Sequence, residues 1–145
     1  LSRGLGDVYK RQDIDIDIGI YGFIPEEIIP QAELRLSIYK EISSIKENKN
    51  LEQNKKDFID RFGDVTSEIT NLYELSKLKN IARKLNILGI KYRDENFSLK
   101  LADDSRLIPP SSKIREIKVS AKDIKSDRLT FIMSKLESFL DKNEI

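Results

Sequence analysis

At 145 residues the chain is long enough to bury about two-thirds of its unfolded surface around one core. Its balance of 39% hydrophobic and 35% charged residues excludes a disordered chain, zero cysteine excludes a disulfide framework or thiolate metal site, and no stretch approaches the ~18 apolar residues that span a bilayer. The net charge of +1 makes no overall case for a polyanionic partner, yet Asp13 to Val65 carries twelve acidic and seven basic residues while Thr66 to Ile145 carries twelve and sixteen.

Residues 1–12, with the run Gly4-Leu5-Gly6-Asp7-Val8-Tyr9-Lys10-Arg11-Gln12, resemble translated sequencing-adapter read-through or a disordered tail, and are set aside from the fold. Residues 13–145 are expected to form a single regulatory domain. Asp13-Ile14-Asp15-Ile16-Asp17-Ile18-Gly19-Ile20 alternates with a period of two and predicts a half-buried strand with isoleucine on one face and carboxylate on the other. Its three aspartates are sequential alternates, whereas a magnesium site draws convergent ligands from several elements; a solvated or partner-facing strand is the expectation.

Pro25 and Pro30 bracket a short extended segment, and the second proline suits the first turn of a helix over about Gln31 to Lys46, with Leu34, Ile38, Ile42 and Ile45 as its buried stripe. After the polar loop Glu47-Asn48-Lys49-Asn50, with Asn50 as cap, a second helix carries Leu51, Phe58, Ile59 and Phe62 and ends at Gly63. Thr66 or Ser67 caps a third helix whose stripe is Ile69, Leu72, Leu75, Leu78, Ala82 and Leu85. Gly89 to Arg93 and Phe97 to Leu101, either side of Asp94-Glu95-Asn96, predict a β-hairpin, and Ile114 to Val119 a further strand beyond Pro109-Pro110. At 128–133 the pattern stays open: Leu129, Phe131 and Met133 alternate like a strand, while Leu129, Ile132, Met133, Leu136, Phe139 and Leu140 fit a helical face. A terminal helix follows in both readings. The fold class is α+β: a helical hairpin and a third long helix packed with a small, mainly antiparallel sheet, and a C-terminal helix.

Without histidine or cysteine the chain lacks the commonest general base and the best soft nucleophile, and no glycine-lysine-hydroxyl spacing forms a phosphate loop. No enzyme is expected, nor any cofactor of its own. The most distinctive segment is Asp57-Phe58-Ile59-Asp60-Arg61-Phe62-Gly63. Phe58, Ile59 and Phe62 take the core side, and Asp57, Asp60 and Arg61 another face, which serves either as a local i,i+4 salt bridge or as a charged docking surface that meets a partner's arginines. A second reading, a small nucleic-acid-binding module, rests on the lysines and arginines of Lys77 to Lys100; these are interleaved with acids and lack a stacking platform.

Ile24-Pro25-Glu26-Glu27-Ile28-Ile29-Pro30, then Arg35 and Tyr39, then Asp60-Arg61-Phe62-Gly63, is an order that resembles the C-terminal domain of bacterial transcription-repair coupling factors. Asp13 to Leu101 carries the likeness, and the C-terminal third matches in outline. The chain departs from that pattern at Ile28, where the family has an aromatic, at Gln31, where it has an acid, and at Thr66, where it has a proline. The resemblance implies a fragment severed from an ATP-dependent DNA translocase, with ATP and magnesium belonging to the parent motor. It implies an autoinhibitory domain that docks on the UvrB-like module of its own parent chain and hides the surface that recruits UvrA in nucleotide excision repair, meeting RNA polymerase and DNA only through the parent. On that resemblance Asp57, Asp60 and Arg61 make the intramolecular contact, Arg35 and Tyr39 hold the two helices together, and Phe58, Phe62 and Gly63 are structural. The fragment is expected to be monomeric, cytoplasmic and free of membrane.

Overall fold

The computed structural model describes residues 14–143, which gather into two compact units: residues 20–80, and residues 14–19 with 81–143. Residues 1–12 and Asp13 lie outside the described residues. The described elements are α+β, four helices and a four-stranded mixed sheet.

In the 20–80 unit, helix α1 spans Ala32–Ser44, α2 spans Asn48–Phe62, and α3, Ser67–Lys84, contributes its residues up to Asn80. Ile38 and Ile42 of α1, Leu51 and Phe58 of α2, and Ile69 and Tyr73 of α3 form the core together with Ile24 and Ile29. Each of these side chains, fully removed from water, contributes about 1.5–3 kcal/mol of apolar transfer, so the helical hairpin is held chiefly by this cluster. Leu34 and Ile45, predicted in the α1 stripe, are only half-buried at its edge. Helix α2 begins earlier than its sequence suggests, with Glu47 at the N-cap and Asn50 inside the first turn. The cause is tertiary. The Asn48 amide donates to the Lys77 carbonyl at 3.4 Å, and its oxygen accepts from Asn80, which also donates to the Ile45 carbonyl, both at 3.0 Å. Asn80 is buried, and these bonds supply the partners a buried amide requires.

The cap of α3 is Thr66, whose hydroxyl accepts from the Ile69 amide at 3.3 Å. Its buried face differs from the predicted stripe: Tyr73 is sealed, while Leu72 and Leu75 are half-exposed. A tyrosine is tolerated there because its hydroxyl donates to the Asn54 side-chain oxygen at 2.6 Å. Burial, followed by the charges of Glu41 and Asp57, pushes the Tyr73 phenol up to about 12.

The other unit is built on a sheet of order β1-β2-β3-β4, with strands Asp15–Asp17, Ile87–Arg93, Asn96–Leu101 and Glu116–Ser120. Strand β1 pairs parallel to β2, and the remaining pairs are antiparallel. The isoleucine-aspartate strand is shorter than its alternation predicts, because Gly19 turns the chain at φ +74°. Ile14 and Ile18 are nonetheless buried and Asp15 and Asp17 exposed, as a period of two demands. The hairpin closes through Asp94 and Glu95 alone, both at positive φ, with Asn96 opposite Arg93. Two consecutive left-handed residues give a turn whose twist matches that of the strands.

The open question at 128–133 resolves as helix: α4 spans Arg128–Asn143 and buries Leu129, Ile132 and Leu136, at three- and four-residue spacing. Phe131 stacks on Phe97 of β3 with ring centroids 5.9 Å apart, and Tyr92 meets Phe97 edge-on at 5.0 Å. Asp127 decides where α4 starts. Its carboxylate accepts from the Thr130 amide at 2.8 Å and from the Thr130 hydroxyl at 2.9 Å. Those bonds hold its carboxyl below the ordinary aspartate range. Asp127→Ala is therefore expected to cost about 1 kcal/mol, a typical loss for a deleted cap. Because the folded-state pKa is depressed, the wild-type contribution is full above the ordinary aspartate pKa and fades as pH falls through the folded value. Urea midpoints of wild type and variant should thus differ at neutral pH and converge in acid.

Candidate functional site

The C-terminal half of α2 presents the predicted charged face. Phe58 points into the core, its ring 4.8 Å from Phe62 and 6.5 Å, edge-on, from Tyr73. This packing fixes how the last turns of the helix rotate about their axis. Asp57, Asp60 and Arg61 consequently face solvent. The Gln53 amide donates to Asp57 at 3.0 Å, and the Arg61 guanidinium lies 4.8 Å from the centre of the Phe62 ring. Asp57 and Arg61, one turn apart, form no ion pair among the described residues. Gly63 closes the helix at φ +88° and donates its amide to the Ile59 carbonyl at 2.8 Å, so the charged turn ends in a defined stop.

Arg35 and Tyr39, expected to hold the two helices together, make their hydrogen bonds to the segment ahead of α1. The Arg35 guanidinium donates to the carbonyls of Ile29 and Pro30, at 2.7 and 3.0 Å, and lies 3.9 Å from the Glu26 carboxylate. Tyr39 accepts from the Ile24 amide at 2.7 Å. Both side chains tie the proline-bracketed lead-in down onto α1. That segment needs such ties, because Pro25 and Pro30 bring no amide hydrogen of their own. Sequence reasoning named these residues without finding their partners; it placed Asn48 in a loop and missed Asn80.

Among the described residues no group of three or more histidine, cysteine, aspartate or glutamate side chains is placed to hold a metal ion, and no helix is long and apolar enough to cross a membrane. What the α2 face offers is charge on a rigid support: two carboxylates and a guanidinium that lies over an aromatic ring.

The sequence model of the TRCF domain matches residues 18–112. The chain belongs to the TRCF domain family. Its relatives include the transcription-repair-coupling factor of Rickettsia conorii, 30% identical over 130 residues, which cover 90% of this chain and 11% of that protein. The same factor of Rickettsia bellii is 28% identical over 121 residues, 83% of this chain and 11% of that protein, and that of Escherichia coli 29% over 98 residues, 68% and 8%. This TRCF domain thus spans about a tenth of the length of the curated relatives it matches. The fold is that of a crystal structure described as the C-terminal domain of transcription-repair coupling factor, with a TM-score of 0.73 at 21% identity over 90% of this chain and 95% of that one.

Proposed function

We propose that this TRCF domain is an autoinhibitory latch of a transcription-repair coupling factor: Asp57, Asp60 and Arg61 dock on the UvrB-like module of the same parent chain and so mask the surface that recruits UvrA. The domain performs no chemistry and takes no cofactor; ATP and magnesium serve the parent motor, which acts on DNA and stalled RNA polymerase in the cytoplasm. One observation carries the reading. Three exposed charges that satisfy one another poorly are held on a helix end that buried Phe58 keeps from rotating.

A covalent tether raises the local concentration of the latch to the millimolar range, so a polar contact of modest intrinsic affinity closes it and still lets go. Residues of this kind set register more than strength. If the latch is closed about nine-tenths of the time, UvrA sees about one-tenth of the parent as competent, and opening it raises apparent affinity about tenfold. Asp57→Ala with Asp60→Ala in the full-length parent should give that gain in a UvrA titration. Affinity equal to wild type would remove the proposal.

A further inference from the structure

The polar face of the sheet belongs to no part of the latch. Register places Asp17, Lys91, Ser98 and Lys118 in one row across all four strands, and Gly89, Lys100 and Glu116 in the next, with Asp15 beside Gly89. A third row holds Arg93, Asn96 and Ser120. The opposite face carries Ile16, Ile90, Leu99 and Ile117, with Tyr92, Phe97 and Val119, and is where Phe131 stacks. Side chains that pair across strands point the same way, so the two faces separate cleanly into apolar and polar.

Charge on the polar face is graded. Asp15 and Glu116 lie at the end away from the hairpin, and Glu116 is opposite Lys100. Toward the hairpin end stand Lys91, Arg93 and Lys118, all exposed, interleaved with Asn96, Ser98 and Ser120; Asp17, beside Lys91, is the one acid registered against these rows, and the exposed acids Asp94 and Glu95 lie beyond them in the turn. Lys91 and Arg93 are two residues apart, about 7 Å along one strand, and Lys118 stands two strands away, about 10 Å. Lysine and arginine stems swing their charges over such distances readily. The sequence conceals this arrangement, since Lys118 joins the group only through β3–β4 pairing.

We propose that this half of the sheet's polar face is a contact surface for the phosphate backbone of nucleic acid, with Lys91, Arg93 and Lys118 as the phosphate-binding cations. Three cations with hydroxyl and amide groups between them match what phosphates require. A protein partner is disfavoured, because a stable protein interface needs an apolar or aromatic centre and these rows contain none. Tyr92 lies on the covered face beneath the Arg128 guanidinium, 4.2 Å from its ring centre, and offers no stacking platform. The contact is therefore backbone-directed and indifferent to sequence. It stands independently of the latch on α2.

Fluorescence anisotropy of the 145-residue chain with a labelled duplex of about 20 base pairs tests it. Three phosphate contacts at about −0.9 each give a log–log salt slope of about −3, hence an affinity about 40-fold lower at 200 mM than at 50 mM salt. Lys91→Gln, Arg93→Gln and Lys118→Gln together should bring the slope close to zero, and each alone should reduce it by about one, so the single variants decide the matter if the triple one misfolds. Lys40→Gln, Lys49→Gln and Lys56→Gln, which remove the same charge from α1 and α2, should leave the slope intact. Equal losses in both sets, or a wild-type slope shallower than about −1, overturn the proposal. So does poly-glutamate bound as tightly as the duplex, which would identify an acidic protein partner instead.

Discussion

Gly22→Ala is expected to destabilise the 20–80 unit by about 3 kcal/mol or more, at the upper end of what overpacking costs. A methyl group at position 22 would lie 2.3 Å from the Leu72 amide nitrogen, 2.4 Å from the Leu72 Cα and 2.8 Å from the Asn71 carbonyl carbon. All three are backbone atoms of α3, and a helix backbone does not step aside as a flexible side chain does. The lead-in is also pinned on both sides of the glycine: the Phe23 amide donates to the Glu68 carbonyl at 3.2 Å, and the Asn71 side chain donates to the Tyr21 carbonyl at 3.3 Å. Relief would mean breaking those bonds. Gly63→Ala is the instructive contrast, since a Cβ there meets nothing within 4 Å and the penalty is that of a positive φ with extended ψ alone, about 1–3 kcal/mol. Urea unfolding of both variants should show Gly22→Ala with the lower midpoint. Equal midpoints would mean that the lead-in does not press on α3 as described.

Phe58→Ala is expected to cost about 4 kcal/mol, within the range for deleting a buried aromatic ring. The ring touches Phe62 and Tyr73 and is 4% exposed, so its removal leaves a cavity that two fixed helices cannot close. Substituting Asp57 and Asp60 with alanine should by contrast change stability by about 0.5 kcal/mol or less, because both are exposed and neither is ion-paired among the described residues. On the proposed latch, neighbouring positions on α2 thereby separate into support and contact. Thermal unfolding of the isolated chain measures the first, and partner binding by the full-length parent the second. Aspartate variants that unfolded as readily as Phe58→Ala would place those carboxylates within the structural framework.

The helices were legible because their apolar residues recur every three or four positions, and the outward placement of Asp57, Asp60 and Arg61 follows from the same spacing once Phe58 and Phe62 are taken as inward. Residue type and position narrowed the cap of α3 to Thr66 or Ser67, and the bond to the Ile69 amide selects Thr66. Asn80 was not: its partners lie more than thirty residues away, and a polar residue on a helix gives no sign of being buried until those partners arrive. Asp127 stood just ahead of a segment whose helical or strand character periodicity left undecided, so its capping role had no fixed helix end to refer to. The pressure on Gly22 comes from a backbone fifty residues later, and glycine carries no side chain whose type could announce it. Local chemistry showed in the sequence, and partnerships across the fold did not.

Arg128 has a mechanical consequence. At the head of the last helix, it reaches back 110 positions to donate to the Ile18 carbonyl at 3.2 Å, and its guanidinium occupies the space a side chain at Gly19 would need. Ile18 directly follows the three residues of parallel pairing, so this arginine is fastened to the end of that strand. The last helix of this unit is thus fastened to its first strand, and its two extremities are held together by a single side chain.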